Sequence, residues 1–133
     1  MDLHATTDGR DTDFMARLID VFPDGRAIAF GPTGVGAIRA RYRESYERPT
    51  LLEPGRPYRY TIELGHVGYE FQPGHRIRLE IMSSAVPNLD ANPNTGHPIA
   101  TDTTFRVARQ TIHHDRSRPS RLLLPVIPRQ SFR

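Results

Sequence analysis

Apolar residues recur at every second position in several stretches of the chain. Ile77, Leu79 and Ile81 alternate with Arg76, Arg78 and Glu80. Tyr58, Tyr60, Ile62 and Leu64 alternate with Arg59, Thr61 and Glu63, and Ile38, Ala40 and Tyr42 alternate with Arg39, Arg41 and Arg43. Side chains on a strand point to opposite faces in turn, so this period predicts strands with one buried and one wet face. Leu3–Thr7, Phe14–Val21, Ala27–Phe30, Phe105–Ile112 and Arg121–Leu124 are further strand candidates, and Val67–Phe71 is a weaker one. No window of about a dozen residues sustains the 3.6-residue period of an amphipathic helix. Glu44–Leu52 has room for one helical turn, interrupted by Pro49.

Turn chemistry separates the runs. Pro23-Asp24-Gly25 predicts a hairpin between Phe14–Val21 and Ala27–Phe30, with proline fixing φ and glycine accepting a positive φ. Glu53-Pro54-Gly55 and Gln72-Pro73-Gly74 each precede a predicted strand. Short strands with Gly/Pro turns predict an all-β fold, a jelly-roll β-sandwich. Ser83–Thr103 breaks the rhythm with Pro87, Asn88, Asn92, Pro93, Asn94, Gly96 and Pro98. Long connections of this kind in a compact domain usually carry function or pack on a partner. The tail Pro125–Arg133 is expected to run extended along the surface.

Composition narrows the function classes. The chain has 133 residues, the size of one domain, and no Cys, which excludes disulfides, thiolate metal sites and a Cys nucleophile. All 18 Lys+Arg positions are Arg, against 15 acids, for a formal net charge of +3. Because Arg does not titrate in the usual range, it lifts the isoelectric point to about 9.8 without creating a basic patch. Acids are interspersed with the arginines, so neither nucleic acid nor membrane is an expected partner. Arg39, Arg41, Arg43, Arg76 and Arg78 fall on the outward phase of their predicted strands. There, Arg stems cover apolar surface while the heads pair with acids. No apolar run approaches the ~20 residues of a membrane span, and the first residues lack a signal-peptide core, which tilts an otherwise open compartment towards the cytoplasm.

Candidate chemistry is sparse. No G-x-S-x-G elbow is present, and Ser83-Ser84 is expected to bond local backbone. His113 and His114 are adjacent, so on a strand they point to opposite faces and do not share a metal. Asp11 and Asp13 share a strand face, an arrangement suited either to calcium or to carboxylates that accept backbone N–H bonds. Asn92-Pro93-Asn94-Thr95-Gly96 reads as an Asx turn, and His75 as a structurally satisfied side chain. Asp11, Asp13, His75, Asn88, Asn92 and Asn94 are the positions expected to form a domain-docking surface or ligand loop, with no cofactor and no metal assigned.

These stretches also carry a family resemblance. DTDF, DVFPDGRA, RARYRES, LLEPGRPYRYTIEL, FQPGHRIRLEIMSS, NPNTG, ARQTIHHD and PSRLLLPVIP follow one another in order. Together, from Leu3 to about Pro128, they resemble the C-terminal domain of X-Pro dipeptidyl-peptidases and of the related cocaine-esterase type hydrolases, including α-amino acid ester hydrolases. The resemblance implies a galactose-binding-domain-like jelly roll that follows an α/β-hydrolase domain bearing Ser, Asp and His, plus a helical cap. None of those catalytic residues falls in the matched region, so none carries over. Residues 1–133 are thus expected to be a single jelly-roll domain lacking its first strand, where the family has sequence before Met1, with the catalytic domain absent. A Gly-rich insert at Gly31–Gly36 and Ala85 depart from the family pattern. The implied partner is an α/β-hydrolase domain, in cis or in trans. The alternatives are a carbohydrate-binding module, weakened by the absence of Trp, a homo-oligomeric structural domain and an intrinsic hydrolase.

Overall fold

The computed structural model describes residues 1–31 and 34–127. Among them are strands β1 (Asp2–Thr7), β2 (Asp13–Val21), β3 (Ala27–Ala29), β4 (Val35–Arg39), β5 (Tyr58–Thr61), β6 (Arg76–Met82) and β7 (Gln110–Ile112). Two antiparallel sheets result. One has the order β5-β1-β7. In the other, β2 is central: β4 pairs along its first half, β3 along its second half, and β6 along the opposite side. The β2–β6 ladder is the longest, running from Met15↔Met82 to Val21↔Arg76.

The two sheets meet through their alternating apolar positions. Leu3 and Ala5 of β1, Phe14 and Ala16 of β2, and Tyr60 with Ile62 form the core, closed by Ala40 and Leu52. The Phe14 and Tyr60 rings pack with centroids 4.8 Å apart. Full burial of each such large side chain contributes roughly 1.5–3 kcal/mol. The Tyr60 alternation is as expected, with Tyr60 and Ile62 buried and Arg59, Thr61 and Glu63 exposed. β2 is different. Met15, Ile19 and Val21 are buried on the phase opposite to Phe14 and Ala16, so this central strand is covered on both faces.

The Pro23-Asp24-Gly25 hairpin forms as expected, with Gly25 at φ 91° and the Phe22 N–H bonded to the Arg26 carbonyl. Gly36 has a different reason to be glycine. A Cβ there would lie 2.1 Å from the Glu63 carbonyl oxygen, so β4 passes against the backbone beyond β5 only because the side chain is absent.

Several expected elements are shorter or displaced. The run Ile38–Arg43 is not one strand: β4 ends at Arg39 and Ala40–Tyr42 forms a 3-10 turn. The Ala40 N–H bonds to the Thr12 carbonyl instead of a ladder partner. The change of geometry breaks the alternation and turns Arg41 and Arg43 inward, where their side chains are 12% and 7% exposed. Helical geometry thus precedes Glu44–Leu52, where Ser45 Oγ instead accepts the N–H groups of Glu47 and Arg48 in a tight turn. Of Phe105–Ile112 only β7 pairs, because residues 106 and 109 bond to Pro93 and Asp8. Arg121 makes a single bridge to Asp2, and Val67–Phe71 forms no ladder. Of the tail, Pro125–Ile127 has no regular structure and Pro128–Arg133 lies outside the described residues.

Candidate functional site: two carboxylate clusters on one strand

The turn Asp8–Thr12 ends β1 and starts β2, and it places Asp11 and Asp13 beneath the long connection. Asp11 is fully buried and Asp13 is 5% exposed. Asp11 accepts the Arg41 backbone N–H at 2.9 Å and Arg41 Nε at 2.7 Å. Asp13 accepts Arg39 Nε and Nη2, both at 2.9 Å, in a two-pronged pair. Asn92 reaches down from the connection and donates Nδ2 to Asp11 at 2.9 Å and to Asp13 at 2.8 Å. Its own Oδ1 accepts the Asn94 N–H, the expected Asx turn, with Asn94 at φ 64° and Gly96 at φ 88°.

The arginines also grip the connection from outside. Arg39 Nη2 donates to the Asp90 carbonyl at 3.3 Å and Arg41 Nη2 to the His97 carbonyl at 2.9 Å. Bonding to the Asp13 carboxylate raises Arg39 above its ordinary value. Two carboxylates face two guanidiniums, so the network is neutral. Its carboxylate oxygens are already engaged by arginine and Asn92, which leaves poor terms for a calcium ion. Among the described residues, no group of three or more His, Asp or Glu is placed to hold a metal.

At the other end of β2, Asp20 is fully buried. It accepts Tyr69 Oη at 2.6 Å, and its Oδ2 lies 2.7 Å from His75 Nδ1. The His75 ring packs on Phe22 at 4.3 Å. Burial pushes Asp20 up, but the bonds from Tyr69 and His75, together with the histidine's charge, leave it below its ordinary value. Its Oδ1 has no hydrogen-bond partner among the described residues.

The structure therefore joins Asp11, Asp13, Asn92 and Asn94 in one place and leaves two candidates out. His75 belongs to the Asp20 cluster, and Asn88 is exposed on a turn where its N–H bonds to the Ala85 carbonyl. DTDF lies under the connection and not on the surface. Arg39 and Arg41 pair with acids as expected, but as clamps on a buried site. Arg43 is likewise inward, over the Tyr58 ring at 4.4 Å. Asp20 and Tyr69 were not expected. A carboxylate on the buried phase of Phe14, Ala16 and Leu18 was the available signal, because such a group demands partners.

Among the described residues, no serine hydroxyl bonds a histidine ring. Ser83 and Ser84 are exposed at the end of β6 and, contrary to expectation, their hydroxyls make no backbone bond among the described residues. Ser120 bonds the His4 backbone, and Ser117 bonds Asp115. His113 Nε2 lies 2.6 Å from Thr6 Oγ1. Ser131 lies outside the described residues.

The comparisons agree with this fold. The family described as the X-Pro dipeptidyl-peptidase C-terminal non-catalytic domain matches residues 1–123. The cocaine esterase of Rhodococcus sp. (strain MB1 Bresler) is 43% identical over 129 residues, covering 96% of this chain and 22% of the esterase. The crystal structure of an aminopeptidase from the marine sediment archaeon Thaumarchaeota archaeon superposes with a TM-score of 0.81 at 32% identity, over 89% of this chain and 21% of that one. An α-amino acid ester hydrolase does so with a TM-score of 0.74 at 29% identity, over 89% and 21%. The chain spans about a fifth of the length of the relatives it matches. It belongs to the X-Pro dipeptidyl-peptidase C-terminal domain family, the non-catalytic β-sandwich of peptidase- and esterase-type hydrolases.

Proposed function

We propose that this domain packs against an α/β-hydrolase domain and braces it, the parent enzyme cleaving esters or amides by acyl transfer to a serine held outside this chain. The observation that carries the reading is the clamped connection between β6 and β7. It is pinned from below by Asn92 and from the side by Arg39 and Arg41, yet it turns apolar side chains outward. Val86 is 66% exposed and Leu89 43%, with Phe105 and Val107 nearby in sequence at 68% and 87%. A rigid loop that presents apolar residues among polar ones is suited to docking, because little order has to be gained on binding. Asp11 and Asp13 act in this reading as the anchor of the docking loop, and Asn94 as part of its turn.

The test mixes the purified chain with a cocaine-esterase type hydrolase lacking its own C-terminal domain. Binding by calorimetry and a longer half-life of ester hydrolysis at elevated temperature are expected, and both should weaken in Val86→Asp/Leu89→Asp. Absence of binding together with unchanged inactivation would sink the proposal.

A further inference from the structure

Where β4 leaves the sheet, the chain tightens into the 3-10 turn Ala40–Tyr42 and then the Ser45 turn, and these bring two tyrosine rings together. Tyr42 and Tyr46 stack with centroids 5.5 Å apart and planes 22° from parallel. Tyr46 is 79% exposed, so Tyr42 covers one of its faces and the other is open. Both rings line a groove of about 430 Å³ between these turns, the end of β4 and the end of β5. Small-molecule sites usually have volumes of about 300–1,000 Å³. Ala37 and Ile38 supply the apolar wall. In a chain of formal net charge +3, the charged lining of this groove has the opposite balance: Glu44 and Glu63 against Arg43. Arg43 is committed elsewhere. Its Nη1 donates to the Thr50 carbonyl at 2.6 Å, its guanidinium lies over Tyr58, and its Nε is 3.5 Å from Glu44. Glu63 is exposed and its carboxylate has no partner among the described residues. The same holds for the Thr61 hydroxyl, two positions earlier on the same exposed phase.

We infer that this groove binds an alkylguanidinium, the chemistry of an arginine side chain. The planar cation lies on the open face of Tyr46 and extends the tyrosine stack. Its N–H groups donate to the Glu63 carboxylate and the Thr61 hydroxyl, and its stem covers Ile38. The chain seats its own arginines on rings in the same way. Arg43 and Arg56 lie over Tyr58 at 4.4 and 5.3 Å, and Arg26 lies over Phe22 at 4.8 Å. An ammonium fits less well, because it is a compact, strongly hydrated point charge that matches neither a flat ring nor a two-pronged carboxylate contact. A neutral sugar also stacks on tyrosine, but it leaves the unmatched charge of Glu63 unanswered.

The test titrates N-acetyl-arginine amide into the purified chain and follows the tyrosine rings and the ligand by NMR. Saturable binding with a dissociation constant on the order of 1 mM is expected, with upfield shifts of the ligand protons next to the guanidinium. N-acetyl-citrulline amide keeps the shape without the charge and is expected to bind about tenfold more weakly. N-acetyl-lysine amide keeps the charge without the plane and is expected to bind about threefold more weakly. Tyr46→Ala and Glu63→Gln are each expected to weaken arginine binding about fivefold, whereas Tyr46→Phe keeps it. Both positions are exposed, so an unchanged melting temperature shows that the fold is kept. Free arginine separates two sources of the same chemistry: tighter binding than the amide assigns the groove to the amino acid, weaker binding to an arginine within a polypeptide, and either supports the inference. No saturable shift at Tyr46, or equal affinity for the arginine and citrulline compounds or for the arginine and lysine compounds, would overturn it. No hydrolase enters this experiment, so its failure is separable from failure of the bracing role.

Discussion

β2 carries a buried acid cluster at each end, and the two are built from different partners. At its start, Asp11 and Asp13 face Arg41 and Arg39, with Asn92 bridging them. At its end, Asp20 faces His75 and Tyr69 and keeps one oxygen without a partner among the described residues. Each carboxylate of the first cluster meets its arginine through two hydrogen bonds, whereas Asp20 is held through one oxygen by a phenol and an imidazole. The first cluster is therefore a closed clamp and the second an open one, with an oxygen left over among the described residues. The first also binds a distant segment through backbone carbonyls at Asp90 and His97, while the second ties β2 to the segment leading into β6 and to Tyr69.

The sharpest way to break the contrast is to remove one acid from the closed clamp. Asp11→Ala leaves Arg41, only 12% exposed, without its carboxylate. Loss of one partner from a buried pair costs about 3–5 kcal/mol, which urea unfolding would read directly. Asp11→Asn keeps the shape and one acceptor and should lose less. A cost under about 1 kcal/mol for the alanine variant would show a solvated pair instead of a clamp.

Asn92→Ala comes next. It removes two hydrogen bonds to carboxylates but leaves both acids with their arginines. About 1–3 kcal/mol is expected. The loss should be local in character: limited proteolysis should cut Ser83–Thr103 sooner, well below the unfolding transition.

How much of this was legible in the sequence differs between the two clusters. The Asp11 and Asn92 motifs were readable because short polar turns have local signatures. Their meeting was not, because the residues lie 81 positions apart and no periodicity reports a tertiary bond. Arg39 and Arg41 were placed on the wet phase because Ile38, Ala40 and Tyr42 keep alternating through the point where the backbone leaves the sheet. That break is set by Thr12, which takes the Ala40 N–H. Arg76–Met82 was legible because it pairs along its whole alternating run, whereas of the run Tyr58–Leu64 only Tyr58–Thr61 forms a strand, although its buried and exposed positions keep alternating through Glu63. Asp20 was visible only as an acid on an apolar phase, and Tyr69, 49 residues on, carried no local signal at all.

The Asp20 cluster should show itself in acid. Asp20 sits below the ordinary carboxylate value of 3.8, so near and below that pH the unfolded chain binds more protons than the folded one. Its contribution is fully present above the unfolded value and is lost as pH falls through the folded value. Melting temperatures of the wild type should therefore drop more steeply below pH 3.8 than those of Asp20→Asn. Parallel acid profiles would mean that Tyr69 and His75 do not favour the charged form.

The smallest effect comes from making the same substitution at two tyrosines. Tyr69 gives its hydroxyl to Asp20 at 2.6 Å, whereas the Tyr60 hydroxyl is buried with no partner among the described residues. Burial also pushes the Tyr60 phenol well above its ordinary value, which keeps it neutral and leaves an unsatisfied polar group in the core. Phenylalanine fills the same space against Phe14 and removes the desolvated oxygen. Tyr60→Phe should therefore be neutral or stabilising by up to about 1 kcal/mol, while Tyr69→Phe destabilises because it strips a donor from a buried carboxylate. Thermal melts of the two variants at neutral pH check the sign of each. A destabilised Tyr60→Phe would mean that its hydroxyl is satisfied in solution, and the core side of β2 would then be wetter than its packing indicates.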